Sequence, residues 1–247
     1  MSDEKQPFLS HLEELRKRLI VCAIAVGMGF VISYIFSKQL FSLLTIPLTE
    51  VLPPESTMIF TSLPEMFIAY IKVALIGGII LAVPVIFYEL WMFVAPALYQ
   101  KEKRYLVPFV LFSTILFVMG ALFGYFIVFP YGFKFFLGFA TENIQALPSV
   151  KQYFSFAIRL LLAFGLVFEM PVAVLFLTKI GLVTPEAMKK YRKFAILGSF
   201  IIAAILTPPD VATQLMMAGP IIILYELSIY ISKAVHRKQE EVDQEEL

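Results

Sequence analysis

Charged residues are scarce in this sequence of 247 residues: they make up 16% of the chain, and the formal net charge is only +1. Soluble globular domains have about 25% charged residues, so this chain has too little polar surface for a water-exposed globule. The composition therefore excludes an ordinary soluble enzyme. The small net charge also excludes a disordered chain and a protein that coats nucleic acid, so no nucleic-acid partner is expected.

Residues for metal or covalent chemistry are equally scarce. The one cysteine, Cys22, excludes an intramolecular disulfide and a zinc site built from several thiolates. The two histidines, His11 and His236, lie near opposite termini, and no H-E-x-x-H motif is present. No G-x-S-x-G motif and no Gly-rich phosphate loop occurs either. The sequence therefore predicts no catalytic residue, no metal site, no cofactor and no enzymatic activity.

Hydrophobic residues, in contrast, make up 60% of the chain, with 25 Phe among them. The mean hydropathy of +0.84 is that of an integral membrane protein. Because about 20 helical residues cross the hydrocarbon core, long apolar runs predict an all-α protein with six transmembrane helices. The predicted spans are Leu19–Phe36, Val73–Phe93, a stretch within Tyr105–Phe133, Leu160–Leu177, Phe194–Leu206 and Val211–Ile231.

The last two predicted helices are short, and a turn over residues 207–210 joins them into a hairpin. The first span is expected to be a membrane anchor, since no small-residue cleavage site follows it. We expect a single membrane domain over residues 1–236 and an acidic, disordered cytoplasmic tail over residues 237–247.

Lysine and arginine residues are distributed unevenly around these spans. Of the 20, 15 lie in the two terminal segments and in the loops after the second and fourth spans. Because cytoplasmic loops carry an excess of cations, both termini are predicted to be cytoplasmic. The expected location is a bacterial cytoplasmic (inner) membrane, crossed several times.

Two carboxylates on this predicted cytoplasmic face are candidates for a binding site. Glu14 lies in a helical run before the first span, in an i,i+4 arrangement with Arg18, and Glu102 lies among three cations in the first cytoplasmic loop. Both can be solvated charges that only balance their neighbours. Alternatively, they form an acidic site for a guanidinium, since a carboxylate accepts both N–H bonds of its fork.

Glu169 is a third candidate, because a carboxylate inside a span is costly and usually faces a bundle interior or a wet cavity. It is either a protonated acid bonded to a neighbouring helix or a functional group, with Gln214 as a candidate partner. Glu89 and Glu226 lie at predicted cytoplasmic ends of spans, where contact with water is enough to explain them.

Five motifs in order along the chain resemble the TatC family, the multispanning subunit of the twin-arginine protein translocase. They are HLEELRKRL at 11–19, FVAPALYQKEKR at 93–104, AFGLVFEMPVAV at 163–174, GLVTPEAMKKYRK at 181–193 and LTPPDVATQ at 206–214. The resemblance implies a receptor, formed with TatB, for signal peptides with paired arginines. It further implies assembly with TatA and with other copies of the chain, and export of folded proteins driven by the protonmotive force.

The resemblance also implies roles for particular residues. Signal-peptide binding would fall to Glu14, Arg16, Phe93, Lys101 and Glu102. Positions in or near the spans that match functional positions of the family, taken here as intramembrane polar or partner-docking residues, are Glu169, Gln214, Asp210 and Pro47.

Two other functions remain open from the residues alone. A proton-coupled small-solute transporter would use Glu169 as its proton carrier, although the internal repeats usual in transporters are absent from the sequence. A passive structural scaffold in the membrane is the third candidate.

Overall fold

The structure is a computed structural model that describes the backbone of residues 5–53, 56–94, 106–141, 146–207 and 210–245. Within these ranges it describes the side chains between residues 11 and 237, apart from Leu106. The described residues form ten α-helices. They are α1 (Lys5–Ile35), α2 (Ser37–Thr49), α3 (Glu65–Val94), α4 (Leu106–Phe123), α5 (Phe129–Leu137), α6 (Val150–Phe168), α7 (Met170–Lys179), α8 (Pro185–Lys190), α9 (Arg192–Leu206) and α10 (Val211–Glu245).

The prediction of an all-α membrane protein is confirmed. The described residues form no β-strand, and an isolated bridge joins Ile59 to Ser149. Within the described residues, five helical stretches are long and apolar enough to cross a membrane: His11–Ile35, Glu65–Val94, Val107–Leu137, Val150–Lys179 and Val211–Arg237. The remaining predicted span corresponds to α9, which has 15 residues and is short as expected.

The last helix is longer than the sequence analysis predicts. α10 has 35 residues and is not short, because no helix breaker follows Pro220, which the helix contains. It continues to Glu245, through most of the acidic segment for which disorder is predicted. This segment is rich in Glu, Gln and Lys, which are good helix formers, so its composition is compatible with a helix in the structure.

The chain forms two compact units. The first comprises residues 1–43 and 62–115, and its main feature is an antiparallel pair made by α1 and α3. The two helices meet at Gly29 and Gly78, where a Cβ added to Gly29 would lie 2.6 Å from the carbonyl oxygen of Gly78. Small residues let helix backbones approach closely in membranes, and this contact fixes the register of α1 on α3.

The second unit comprises residues 44–61 and 116–247. Its core contains fully buried aromatic side chains, among them Phe129, Phe154 and Phe164. A π-helical segment, Gly124–Val128, joins α4 to α5, and α10 packs against α7 and α9. The α7–α10 contact includes a buried hydrogen bond of 2.8 Å between the hydroxyl groups of Thr178 and Ser232.

Candidate functional site

Three charged side chains meet where the N-terminal half of α1 packs against the end of α3 in the first unit. The guanidinium of Arg18 donates from Nε to Glu14 Oε1 over 3.1 Å, and Nη2 contacts the same oxygen at 2.5 Å. On its other side, Arg18 Nη1 donates to Glu89 Oε2 over 2.9 Å. One guanidinium is therefore held between two carboxylates from two helices.

The cluster has more negative than positive charge and is open on one side. Arg18 and Glu89 expose only 18% and 15% of their side chains, while Glu14 exposes 36%. Two carboxylates against one guanidinium leave a net charge of −1 on these three side chains. Glu14 is thus an accessible carboxylate with a neighbour that already fixes its position.

An aromatic pair lies at the same end of the α1–α3 pair. The rings of His11 and Phe93 stack with centroids 4.3 Å apart and an angle of 19° between their planes. Arg16, which lies between Glu14 and Arg18 in the N-terminal half of α1, is exposed. Carboxylates bind a guanidinium through its N–H fork, and aromatic faces attract it as well, so this region suits an arginine-bearing ligand.

Of the five residues assigned to signal-peptide binding, Glu14 and Phe93 lie at the same end of the α1–α3 pair, where Glu14 bonds to Arg18 and Phe93 stacks on His11. Arg16 is exposed on α1. The other two, Lys101 and Glu102, lie outside the described residues. Glu89, for which the sequence predicts only contact with water at a span end, is bonded to Arg18 in this cluster. The sequence contains a pattern that could have indicated this pair. Arg18 precedes the first predicted span and Glu89 lies near the end of the second, so both are predicted on the same side of the membrane.

Glu169 marks the junction between α6 and α7. Its N–H donates to the carbonyl of Leu166 over 3.1 Å, and its own carbonyl accepts from the N–H of Ala173 over 2.9 Å. Pro171 at the start of α7 cannot donate a backbone hydrogen bond, and this explains a break here in the helix. The carboxylate oxygen Oε1 is buried, within the stretch Val150–Lys179.

Asp210 caps the N-terminus of α10. Its Oδ1 accepts from the backbone N–H of Thr213 over 2.7 Å, and its Oδ2 accepts from the Thr213 hydroxyl. This is the geometry of an N-cap, which supplies an acceptor for a helix N–H that has no partner within the helix. The structure therefore gives Asp210 a local role in starting α10.

Gln214 and Pro47 have separate surroundings. Gln214 donates from Nε2 to the backbone carbonyl of Phe200 on α9 over 3.1 Å, and so ties α10 to α9. The structure gives it this partner in place of the predicted Glu169. Pro47 lies buried in the last turn of α2. No group of three or more potential metal ligands occurs among the described residues.

Comparison with known proteins identifies the family. The sequence model described as "Sec-independent protein translocase protein (TatC)" matches residues 10–220. The chain belongs to the TatC family. A relative from Desulforapulum autotrophicum, named Sec-independent protein translocase protein TatC, is 56% identical over 99% of this chain and 90% of its own length. The protein of that name from Escherichia coli K12 is 40% identical over 94% of this chain and 90% of its own length.

A solved structure agrees with the family assignment. A crystal structure described as the twin arginine translocase receptor TatC matches with a TM-score of 0.82 and 44% identity, and covers 91% of this chain and 99% of that one. The resemblance read from the five motifs is thus confirmed, and this TatC-family chain is a multi-pass membrane protein. None of these comparisons supports the small-solute transporter.

Proposed function

We propose that this chain is the core subunit of a twin-arginine translocation system. With a TatB-type protein it recognises signal peptides that carry paired arginines, and with a TatA-type protein it exports folded proteins at the expense of the protonmotive force. The family membership and the similarity to a protein described as the twin arginine translocase receptor support this function.

The observation that carries the proposal is the position of the Arg18 guanidinium between Glu14 and Glu89. These carboxylates already hold a guanidinium through several hydrogen bonds, and one of them is partly accessible. A ligand with two adjacent arginines offers the same chemical group. Lysine lacks the planar fork, so a site of this kind discriminates between the two cations.

The proposed binding residues are Glu14, Arg16 and Phe93, with Lys101 and Glu102 from the loop that follows α3. In this arrangement Glu14 and Glu102 accept hydrogen bonds from the arginine pair of the signal peptide. The ring of Phe93 packs against the apolar residues next to that pair. Arg16 and Lys101 form the basic rim of this acidic site.

The proposed topology has six spans, with α9 as the short fifth one and with both termini in the cytoplasm. A helix of 15 residues reaches only about 22 Å, so the bilayer thins locally or partner helices cover the difference. Residues 1–236 form the membrane domain and residues 237–247 a cytoplasmic segment. The membrane is the bacterial cytoplasmic membrane, as the positive-inside distribution indicates.

Partner docking is proposed for the second unit. Glu169, at the junction of α6 and α7 within an apolar stretch, is the proposed docking residue for a partner's helix, because a carboxyl group inside a span is costly and usually faces a bundle interior. Gln214, Asp210 and Pro47 set the positions of α9, α10 and α2, against which TatA- and TatB-type helices or further copies of this chain would pack.

The test is the affinity of the detergent-solubilised complex for a twin-arginine peptide. Glu14→Gln and Glu102→Gln are each expected to lower it at least about tenfold, because a charged partner of a desolvated guanidinium is removed. Glu13→Gln is the matched control, since Glu13 is exposed on the same turn of α1. It is expected to change the affinity less than about threefold.

A peptide with paired lysines is expected to bind weakly to the wild type and to be insensitive to all three variants. Equal affinity of the wild type, Glu14→Gln and Glu102→Gln for the twin-arginine peptide would contradict the assigned site. Loss of export in every variant with unchanged peptide affinity would contradict it as well.

A further inference from the structure

Two adjoining cavities lie in the second unit, at the end where α6 begins and α9 ends. One has a volume of about 350 Å³ and the other about 370 Å³. Gln152 and Phe156 on the first turns of α6 line both of them. The two cavities differ in chemistry, one being apolar and the other cationic.

The cationic cavity is lined along α6 by Lys151, Ser155 and Arg159, which follow one another at intervals of four residues and so share one face of the helix. Thr207 and Leu206, at the end of α9, form the opposite wall. Arg159 is exposed and uses its Nε to donate to the carbonyl of Ser155 over 3.0 Å. Its two terminal amino groups take no part in that bond.

The apolar cavity is lined mainly by side chains from the ends of α2 and α5 and the start of α6. They include Leu48, Phe133, Phe136 and Phe156, and Leu147 in the segment before α6 adds to the lining. Its floor is fixed, because the hydroxyl of the buried Tyr153 donates to the backbone carbonyl of Leu44. This cavity therefore has a stable shape and presents mostly hydrocarbon and aromatic surface.

Arg159 lies inside an apolar stretch of the sequence, and this position indicates which class of ligand the two cavities would bind. It lies nine residues after the start of Val150–Lys179, a stretch long and apolar enough to cross a membrane. A cation inside such a stretch is costly unless it pairs with an anion or reaches the headgroup level. The combination of two cations with an apolar cavity beside them matches one class of ligand, an anionic amphiphile.

We propose that these adjoining cavities bind one anionic phospholipid. Its phosphate lies on Arg159 and Lys151 in the cationic cavity, and one acyl chain enters the apolar cavity past Phe156. The lipid then fills the space between the start of α6 and the end of the short α9, and is part of the folded protein in the bilayer. This inference does not depend on the proposed function.

The test is lipid retention by the purified full-length protein, measured by native mass spectrometry in detergent with phosphatidylglycerol or phosphatidylcholine added. The wild type is expected to retain phosphatidylglycerol at least about tenfold more strongly. Each of Arg159→Gln and Lys151→Gln is expected to lower that preference about fivefold, as for one cation near a lipid phosphate. Equal retention of the two lipids by the wild type would overturn the proposal.

Lys134→Gln is the matched control. Lys134 is an exposed cation of α5 in the same unit, and it lines neither cavity. Its variant is expected to keep the wild-type preference. If it lowered the preference as much as Arg159→Gln, the effect would come from overall charge, and the specific site would be refuted.

Two further ligands separate the headgroup from the acyl chain. Dihexanoyl phosphatidylglycerol is expected to bind more weakly than the dioleoyl lipid, because its short chains bury less apolar surface in the cavity. Glycerol phosphate, which has no chain, is expected not to displace the dioleoyl lipid. Displacement by glycerol phosphate at a similar concentration would show a soluble-phosphate site and would overturn the proposed phospholipid. Thermal unfolding of each variant at the wild-type temperature checks that the fold is intact.

Discussion

Arg18 and Glu89 are 71 positions apart in the sequence, yet Arg18 Nη1 donates to Glu89 Oε2 over 2.9 Å. This bond joins the N-terminal half of α1 to the last turns of α3 in the antiparallel pair of the first unit. It also holds Nη1 of the Arg18 guanidinium, while Nε and Nη2 contact Glu14. The accessible carboxylate of the candidate site is therefore positioned through a residue of another helix.

The Arg18–Glu89 pair is expected to stabilise the first unit measurably. Both partners expose less than a fifth of their side chains, so solvent screens the interaction only weakly. A double-mutant cycle with Arg18→Gln, Glu89→Gln and the double variant is expected to give a coupling of roughly 0.5–3 kcal/mol. The measurement is reversible unfolding of the purified protein in mixed detergent micelles.

The Arg192–Glu226 pair of the second unit serves as the internal comparison. Its nitrogen–oxygen distance is 2.7 Å, but its partners expose 49% and 32% of their side chains. Exposed pairs contribute about 0–1 kcal/mol, so a smaller coupling is expected from the equivalent cycle. A coupling at Arg18–Glu89 no larger than at Arg192–Glu226 would refute the stabilising role of the first pair.

Gly29→Ala is expected to destabilise the α1–α3 pair by about 1–3 kcal/mol, because the added methyl group would overlap the backbone of Gly78. It should also lower twin-arginine peptide affinity, since displacement of α1 moves Glu14 away from Glu89. Gly27→Ala is the control on the same helix: a Cβ there meets nothing within 4 Å. Equal unfolding free energies and affinities for the two variants would contradict this packing role.

Glu169→Ala is expected to leave twin-arginine peptide affinity unchanged and to weaken both export and cross-linking between α6 or α7 and a partner helix. The reason is the loss of a buried polar contact within an apolar stretch. Glu169→Gln keeps the size and hydrogen-bonding capacity of the side chain. If Gln supports export and Ala does not, Glu169 acts as a neutral hydrogen-bonding group. Unchanged cross-links and export in the Ala variant would leave it a purely local role at the α6–α7 junction.

The topology can be tested with the single native cysteine removed by Cys22→Ser. Single cysteines replacing Lys189 or Lys190 are expected to be protected from a membrane-impermeant thiol reagent in intact cells, while cysteines replacing Lys134 or Lys151 react. All four positions are exposed in the structure, so the accessibility of the thiol depends on the membrane side. Reaction at Lys189 together with protection at Lys134 would invert the proposed orientation.

The fold class was accessible from the sequence because it depends on local properties. Charge-free apolar runs of the required length predict membrane helices wherever they occur, whatever their neighbours. The short helix α9 and the bond between Glu14 and Arg18, four residues apart on one helix, were accessible for the same reason. The length of α10 was not accessible, because charge and low hydropathy predict disorder for its last residues although the same residues favour a helix.

The sequence by itself determined that this protein is an α-helical membrane protein of a recognisable family, since hydropathy, charge distribution and motif order need no three-dimensional information. Only the tertiary structure decided that Glu89 belongs to the candidate site, that Gln214 of α10 bonds to α9, and that two cavities adjoin at the start of α6. Each of these depends on which side chains face one another across helices. That is set by close backbone contacts such as Gly29 with Gly78, whose partners are distant in the sequence.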